Sequence, residues 1–365
     1  MSCSHRIHGT KILKVFSIFA TVILDEKYMQ RCIDLAKLGS GHVAPNPMVG
    51  AVIVYNDTIL GEGFHQQYGE AHAEVNAIRS VKDLSLLKKA TIYVSLEPCS
   101  HFGKTPPCSD LLIEHQFKKV VIGCQDSHSK VSGKGIEKLK KAGIEVEVGV
   151  LEKECRDLNK RFFTFHEKQR PYVILKWAQS KDGFLDKKRS ENEVGVNWIS
   201  SPDTKALVHK WRSEEQSILV GRKTVQNDNP TLTVREFSGV NPTRIIIDSQ
   251  LQLSGEFNIF SDDAPTIIFN RIKNGRKGNV EWVKIHETNT ELILEELYNR
   301  SIISVFVEGG SRTLQYFIFG NVWDEARIIV GNSIFNEGTK APTINKTPSY
   351  SYPFSTDTVY HYFRK

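Results

Sequence analysis

The chain has no Cys-x-x-Cys pair, and its six cysteines, at positions 3, 32, 99, 108, 124 and 155, lack the regular spacing of a disulfide framework. That excludes a small disulfide-stapled fold and points to a reducing cytoplasm. Long apolar runs are also missing. The most hydrophobic stretch, Lys11 to Leu24, is too short to span a bilayer comfortably and carries no clear small-residue cleavage site, so residues 1–24 read as an N-terminal extension outside the fold. Charge of one sign is scarce too: the net charge is +6 over 365 residues, with Lys and Arg spread along the chain. This argues against a nucleic-acid groove while still suiting an anionic small molecule. No internal repeat or low-complexity tract is visible.

Against this background one constellation stands out. His72-Ala73-Glu74 is followed by Pro98-Cys99 and then by Cys108. One imidazole and two thiolates make three ligands for a tetrahedral Zn²⁺ and leave the fourth position open, with Glu74 beside the metal as acid/base. A structural zinc site would be closed by a fourth protein ligand, and none is offered nearby. The pattern is that of the zinc deaminases of nucleobases, except that eight residues separate the two cysteines where two are usual.

The length suits two domains. In the first, a helix over Tyr28 to Leu38 precedes strands at Val49 to Val54 and Ile59 to Gly63. Then come a helix from Ala71 with His72 in its first turn, a strand at Thr91 to Leu96, a helix after Pro107 and a strand at Lys119 to Cys124. A helix at Gly133 to Ala142, a strand at Ile144 to Gly149 and one closing helix, Leu151 to Phe165, complete an α/β/α sandwich. The polar run Glu167 to Pro171 reads as a hinge, which sets the domains at 25–168 and 169–365. The second half alternates strands and helices again but has no Gly-x-Gly-x-x-Gly after its first strand. It offers Val307-Glu308-Gly309-Gly310-Ser311 instead, a strand delivering two glycines to a helix start, where backbone N–H groups and the helix dipole favour a phosphate.

Three segments together, Pro45-Asn46-Pro47-Met48-Val49-Gly50, HAEVNAI and PCSHFGKTPPC, resemble the deaminase half of the bifunctional riboflavin-biosynthesis deaminase/reductase family. The runs from Lys176 to Gly183, Trp198 to Ser200, Gly221 to Pro230 and Leu232 to Arg235 resemble its reductase half. The resemblance implies a cytidine-deaminase-like α/β/α sandwich followed by a dihydrofolate-reductase-like α/β domain. It implies zinc-dependent deamination of 2,5-diamino-6-(5-phosphoribosylamino)pyrimidin-4(3H)-one, then NADPH-dependent reduction of the ribosyl group of the resulting aminouracil to ribityl.

Residue by residue, the resemblance assigns Zn²⁺ to His72, Cys99 and Cys108, proton transfer to Glu74 and substrate contact to Asn46, which taken alone is equally a turn residue. His101 and Lys104 are candidates for the ribose phosphate. NADPH contacts fall on Ala178, Trp198, Thr224, Asp228, Ser249 and the segment Gly310, Ser311, Arg312, Thr313, Leu314, Gln315 and Tyr316; Arg312 and Lys223 are cations suited to a 2′-phosphate. Substrate contacts fall on Val196, Arg212, Leu232, Arg235 and Glu308, through the backbone alone at Val196. Where the family carries Asp-Pro-Asn-Pro, this chain has Asp126-Ser127-His128-Ser129, which puts the rigidity of that loop in question. The expected partners are the phosphorylated pyrimidine and, as an option, a second copy of the chain, with neither nucleic acid nor membrane. A nucleic-acid or free-nucleoside deaminase shares the zinc core but needs no second half, and a zinc-dependent structural module needs neither Glu74 nor an open coordination position.

Overall fold

The structure, a computed structural model, describes residues 24–102, 106–127, 132–190 and 193–364. The chain divides into two compact units, one through Glu167 and the other from Lys168. Residues 1–23 of the proposed extension, together with Lys104, His128 and Ser129, lie outside the described residues.

The first unit runs α1 (24–37), β1 (Gly50–Tyr55), β2 (Thr58–Phe64), α2 (Ala73–Arg79), β3 (Thr91–Leu96), α3 (Cys108–Glu114), β4 (Lys119–Cys124), α4 (Lys134–Lys141), β5 (Glu145–Val148), α5 (Glu152–Leu158) and α6 (Lys160–Lys168). Its sheet has the order β2-β1-β3-β4-β5, with β1 antiparallel to both neighbours and β3, β4 and β5 parallel. Period-2 alternation divides the strands between two cores. Ala51, Ile53, Val94 and Ile122 pack with Ala77, Leu112 and Leu139 of α2, α3 and α4. Val52, Val54, Tyr93 and Val121 pack with Met29, Cys155 and Phe163 of α1, α5 and α6. The result is the α/β/α sandwich.

The closing helix expected over Leu151 to Phe165 is broken in two. Asn159 leaves helical geometry at φ −105° and ψ 24°, and its side chain bonds to a distant loop instead of continuing the helix surface. Of the polar run before Pro171, Glu167 and Lys168 belong to the last turn of α6. At its end, Arg170 forms a two-pronged ion pair with Asp324 at 2.6 and 2.7 Å, and Asp324 also accepts from the Val173 N–H.

The second unit comprises β6 (Tyr172–Gln179), β7 (Phe184–Lys187), α7 (Pro202–Ser213), β8 (Ser217–Gly221), α8 (Arg222–Asp228), β9 (Thr243–Ile247), β10 (Thr266–Asn270), β11 (Gly275–Lys277) and β12 (Val280–Lys284). It continues with α9 (Thr290–Asn299), β13 (Ser304–Val307), α10 (Ser311–Phe319), β14 (Glu325–Val330), β15 (Gly338–Lys340), β16 (Tyr350–Phe354) and β17 (Asp357–Phe363). Ten strands form one sheet in the order β11-β12-β10-β9-β8-β13-β6-β14-β17-β16. The stretch from β12 to β14 is parallel, and antiparallel strands close both edges. The near-continuous burial of TIIFN, SVFV and SILVG fits parallel strands covered on both faces. Such a sheet opens its ligand crevice at the carboxyl ends of its strands.

Candidate active sites

In the first unit, His72 is the N-cap of α2, one residue ahead of the helix and extended at φ −72° and ψ 166°, not a residue of its first turn. Glu74 follows inside that turn and is buried. Cys99 lies just beyond β3, and Cys108 opens α3 with Pro107 as its N-cap. His72 Nδ1 stands 3.6 Å from Cys99 Sγ and 3.3 Å from Cys108 Sγ, and the three ligand atoms all lie within 4.8 Å of one another. Zn–S and Zn–N bonds at tetrahedral angles require a nitrogen–sulfur separation of about 3.6 Å, so this donor set fits a zinc ion.

Charges are arranged accordingly. The hydrogen bond from Cys108 and then that from His72 lower the Cys99 thiol to about 4, and its backbone partner is the Cys108 N–H at 3.2 Å. His72 rises to about 9, chiefly through its hydrogen bond with Cys99. Burial lifts the Glu74 carboxyl above its ordinary value against the opposing pull of His72. A carboxyl so placed can hold a proton and give it up.

Asn46 joins the same neighbourhood through His65. Its Nδ2 lies 3.1 Å from His65 Nε2, His65 Nδ1 lies 3.1 Å from the Ala71 carbonyl, and the His65 ring meets His72 edge-on at 5.5 Å. His101 is exposed on its loop. Two supports escaped the sequence reading. Asn159 accepts from the Met48 N–H and donates to the Met48 carbonyl, both at 2.8 Å, which anchors the Asn46 turn from behind. Glu97, buried one residue before Pro98, accepts from the backbone N–H groups of Asp126, Gly133, Gly135 and Ile136. It ties the exit of β3 to the start of α4.

In the second unit a cleft of about 1710 Å³ opens over the strand ends. Every reductase-half candidate lines it except Leu314, which is fully buried in the core below. The glycine pair divides its tasks. A Cβ on Gly309 would stand 2.6 Å from the Val220 side chain, so Gly309 permits close strand packing. Gly310, at φ 53° and ψ 137°, holds a backbone shape that only glycine adopts freely and caps α10 beside Thr224.

Several polar candidates are already paired. Asp228 accepts from Arg189 at 2.7 Å, and Ser249 Oγ meets Thr288 Oγ1 at 2.8 Å. Arg312 Nε donates to the Tyr316 hydroxyl at 2.7 Å, while Lys223 lines the cleft. Trp198 is half-exposed beneath Lys205 Nζ, and Val196 is exposed at the rim. Leu232 is buried in a left-handed conformation at φ 56°.

Arg212 grips Glu308 with two bonds, at 2.6 and 2.9 Å, and Lys176 Nζ lies 3.4 Å from the same carboxylate. Burial works against the charge on Glu308, but Arg212 and Lys176 overcome it and hold the carboxyl down at about 2. Burial lowers Lys176 in turn. Motif reading does not single out Lys176; its cue as a site residue is a lone cation inside a mostly apolar strand, YVILKWAQ.

The family described as the cytidine and deoxycytidylate deaminase zinc-binding region matches residues 23–124, and the RibD C-terminal domain matches residues 171–346. Riboflavin biosynthesis protein RibD of Aquifex aeolicus is 39% identical over 322 residues, covering 86% of this chain and 89% of that protein. Its counterpart in Bacillus amyloliquefaciens is 40% identical over 338 residues, covering 88% of each. Among solved structures, a diaminohydroxyphosphoribosylaminopyrimidine deaminase/5-amino-6-(5-phosphoribosylamino)uracil reductase from Thermotoga maritima superposes with a TM-score of 0.85 at 38% identity, over 93% of this chain and 99% of that one. RibD of Acinetobacter baumannii gives 0.83 at 30% identity, over 94% and 99%.

Proposed function

The chain belongs to the RibD family of bifunctional riboflavin-biosynthesis deaminase/reductases, and from that premise we propose which of its residues carry each reaction. The protein removes ammonia hydrolytically from 2,5-diamino-6-(5-phosphoribosylamino)pyrimidin-4(3H)-one with the help of zinc. It then reduces the ribosyl side chain of 5-amino-6-(5-phosphoribosylamino)uracil to ribityl with NADPH. We assign the first reaction to residues 25–168 and the second to 169–365.

The observation that carries the first assignment is the convergence of His72, Cys99 and Cys108 beside a buried Glu74. Held by these three side chains, zinc supplies the Lewis acidity that makes water a nucleophile at neutral pH. Glu74 takes one proton from the attacking water and gives it to the ring nitrogen, then takes the second from the new hydroxyl and gives it to the departing amino group, which leaves as ammonia. Asn46, oriented by His65, holds the pyrimidine.

For the second reaction, Gly310 and the start of α10 receive the cofactor pyrophosphate, with Thr224 alongside. NADPH supplies the hydride. Glu308 stays ionised between Arg212 and Lys176, and Lys176, with its charge weakened by burial, is the group in the cleft suited to hand a proton to the ribosyl oxygen as the sugar ring opens. Arg212, Arg235, Leu232 and the Val196 backbone position the substrate.

No helix among the described residues is long and apolar enough to cross a membrane. A cytoplasmic location and a homo-oligomeric assembly complete the reading. The direct test supplies purified protein with the diaminopyrimidine phosphate, with and without NADPH, and follows ammonia and NADPH consumption separately. Ammonia release without NADPH, lost in Cys108→Ser along with bound zinc, is the expected result. Full zinc retention in that variant would contradict the ligand assignment.

A further inference from the structure

His209 belongs to α7, is 2% exposed, and lines the reductase cleft without having been assigned any part in the reaction. The backbone N–H of Arg235 donates to its Nδ1 at 3.0 Å. A nitrogen that accepts carries no proton, so the imidazole is neutral with its hydrogen on Nε2. Burial, followed by the nearby charges of Arg212 and Arg235, lowers its pKa to about 4, which agrees with that tautomer. Among the described residues no group accepts the Nε2 proton, and Nε2 is not one of the fully buried unpaired atoms, so it opens to the cleft. A donor that faces the cleft without a protein acceptor is available to a ligand.

The surroundings identify the missing acceptor. Lys176, Arg212 and Arg235 bring three cations to this part of the cleft, and Glu308 is the carboxylate that answers Lys176 and Arg212. Arg235 bonds the hydroxyls of Thr231 and Thr233, and the carboxylate that acts on it, Glu236, is itself paired with Lys205 at 2.9 Å. Two positive charges therefore remain in excess, the complement of a phosphomonoester dianion. Arg212 cannot be the main phosphate fork, because Glu308 already occupies its Nε and one terminal nitrogen.

We propose that His209 is a phosphate-binding residue of the reductase site: its Nε2–H donates to the 5-phosphate of the substrate, and its Nδ1 holds the Arg235 main chain so that the Arg235 guanidinium meets the same group. This rests on the reading of the cleft as the site for the phosphoribosylamino substrate. It makes His209 a neutral donor that reads the phosphate without adding to the charge of the cleft.

The test compares reductase kcat/KM, in the zinc-loaded full chain, for 5-amino-6-(5-phosphoribosylamino)uracil and for its dephosphorylated ribosylamino counterpart. Asparagine can replace the Nδ1 acceptor and glutamine the Nε2 donor. His209→Asn and His209→Ala should lower kcat/KM on the phosphorylated substrate about 10- to 100-fold, chiefly through KM, with little change on the dephosphorylated one. His209→Gln should recover a large part of the loss. NADPH affinity and ammonia release should match wild type in all three.

An equal loss on both substrates, or no loss in His209→Asn, would overturn the assignment. If wild type itself shows no preference for the phosphorylated substrate, the phosphate reading of the cleft fails first, a separate outcome. Should the variants not fold, histidine-selective nitrogen NMR of the wild-type protein decides. Inorganic phosphate should shift the Nε2 resonance of one buried neutral histidine, and a spectrum unchanged at saturating phosphate would count against the proposal.

Discussion

Asn159 holds Met48 by both of its backbone groups, accepting from the N–H and donating to the carbonyl at 2.8 Å each, across 111 residues of chain. The clamp fixes the turn that carries Asn46 to the junction of α5 and α6. Replacing Asn159 with Ala removes both bonds and strands two backbone groups, a loss of about 2 to 4 kcal/mol. Deaminase KM should rise while reductase kinetics on preformed aminouracil stay unchanged. Urea unfolding and the two assays run in parallel check this.

Glu74→Gln should leave zinc content at the wild-type level and reduce ammonia release by about 10²- to 10⁴-fold, the usual contribution of a positioned general acid/base. Reduction of preformed aminouracil should persist. Near-normal ammonia release would remove Glu74 from the mechanism.

The two glycines after β13 should fail differently. Gly310→Ala forces a side chain onto φ 53°, a strain of about 1 to 3 kcal/mol, exactly where the cofactor backbone contacts are expected, so NADPH affinity should fall first. Gly309→Ala drives a methyl into Val220, so thermal or urea stability of the second unit should fall with it. Zinc content and ammonia release should survive both changes. Titration with NADPH beside an unfolding curve separates the two cases.

Asp324 is held below the ordinary carboxylate range. Burial opposes its charge, but Arg170 and the Val173 N–H more than offset that. A depressed folded pKa contributes stability that is present above the unfolded value, near 3.9, and is lost as pH falls through the folded value. Asp324→Asn should therefore destabilise the second unit by about 3 kcal/mol at neutral pH, leaving Arg170 unpaired, and by progressively less toward pH 3. Denaturation midpoints across that window measure it.

Local patterns revealed much of this architecture. Thr91 to Leu96 and Lys119 to Cys124 begin and end where alternation places them, and a helix starts at Ser311 directly after the glycine pair. The zinc cluster was legible because its chemistry demands particular residue types in order along the chain. Asn159, Glu97 and His209 were not, because each works through backbone atoms distant in sequence, and a main-chain partner leaves no trace in residue identity. The C-terminal hairpin of β16 and β17 escaped as well: its burial alternates only once the strand is paired against β14.

The Glu97 carboxylate engages four main-chain N–H groups among the described residues. The joint is therefore indifferent to spelling. In a saturation library Glu97 and Gly135, where a Cβ would stand 2.2 Å from the Pro98 carbonyl, should accept almost nothing, whatever the side chain offered.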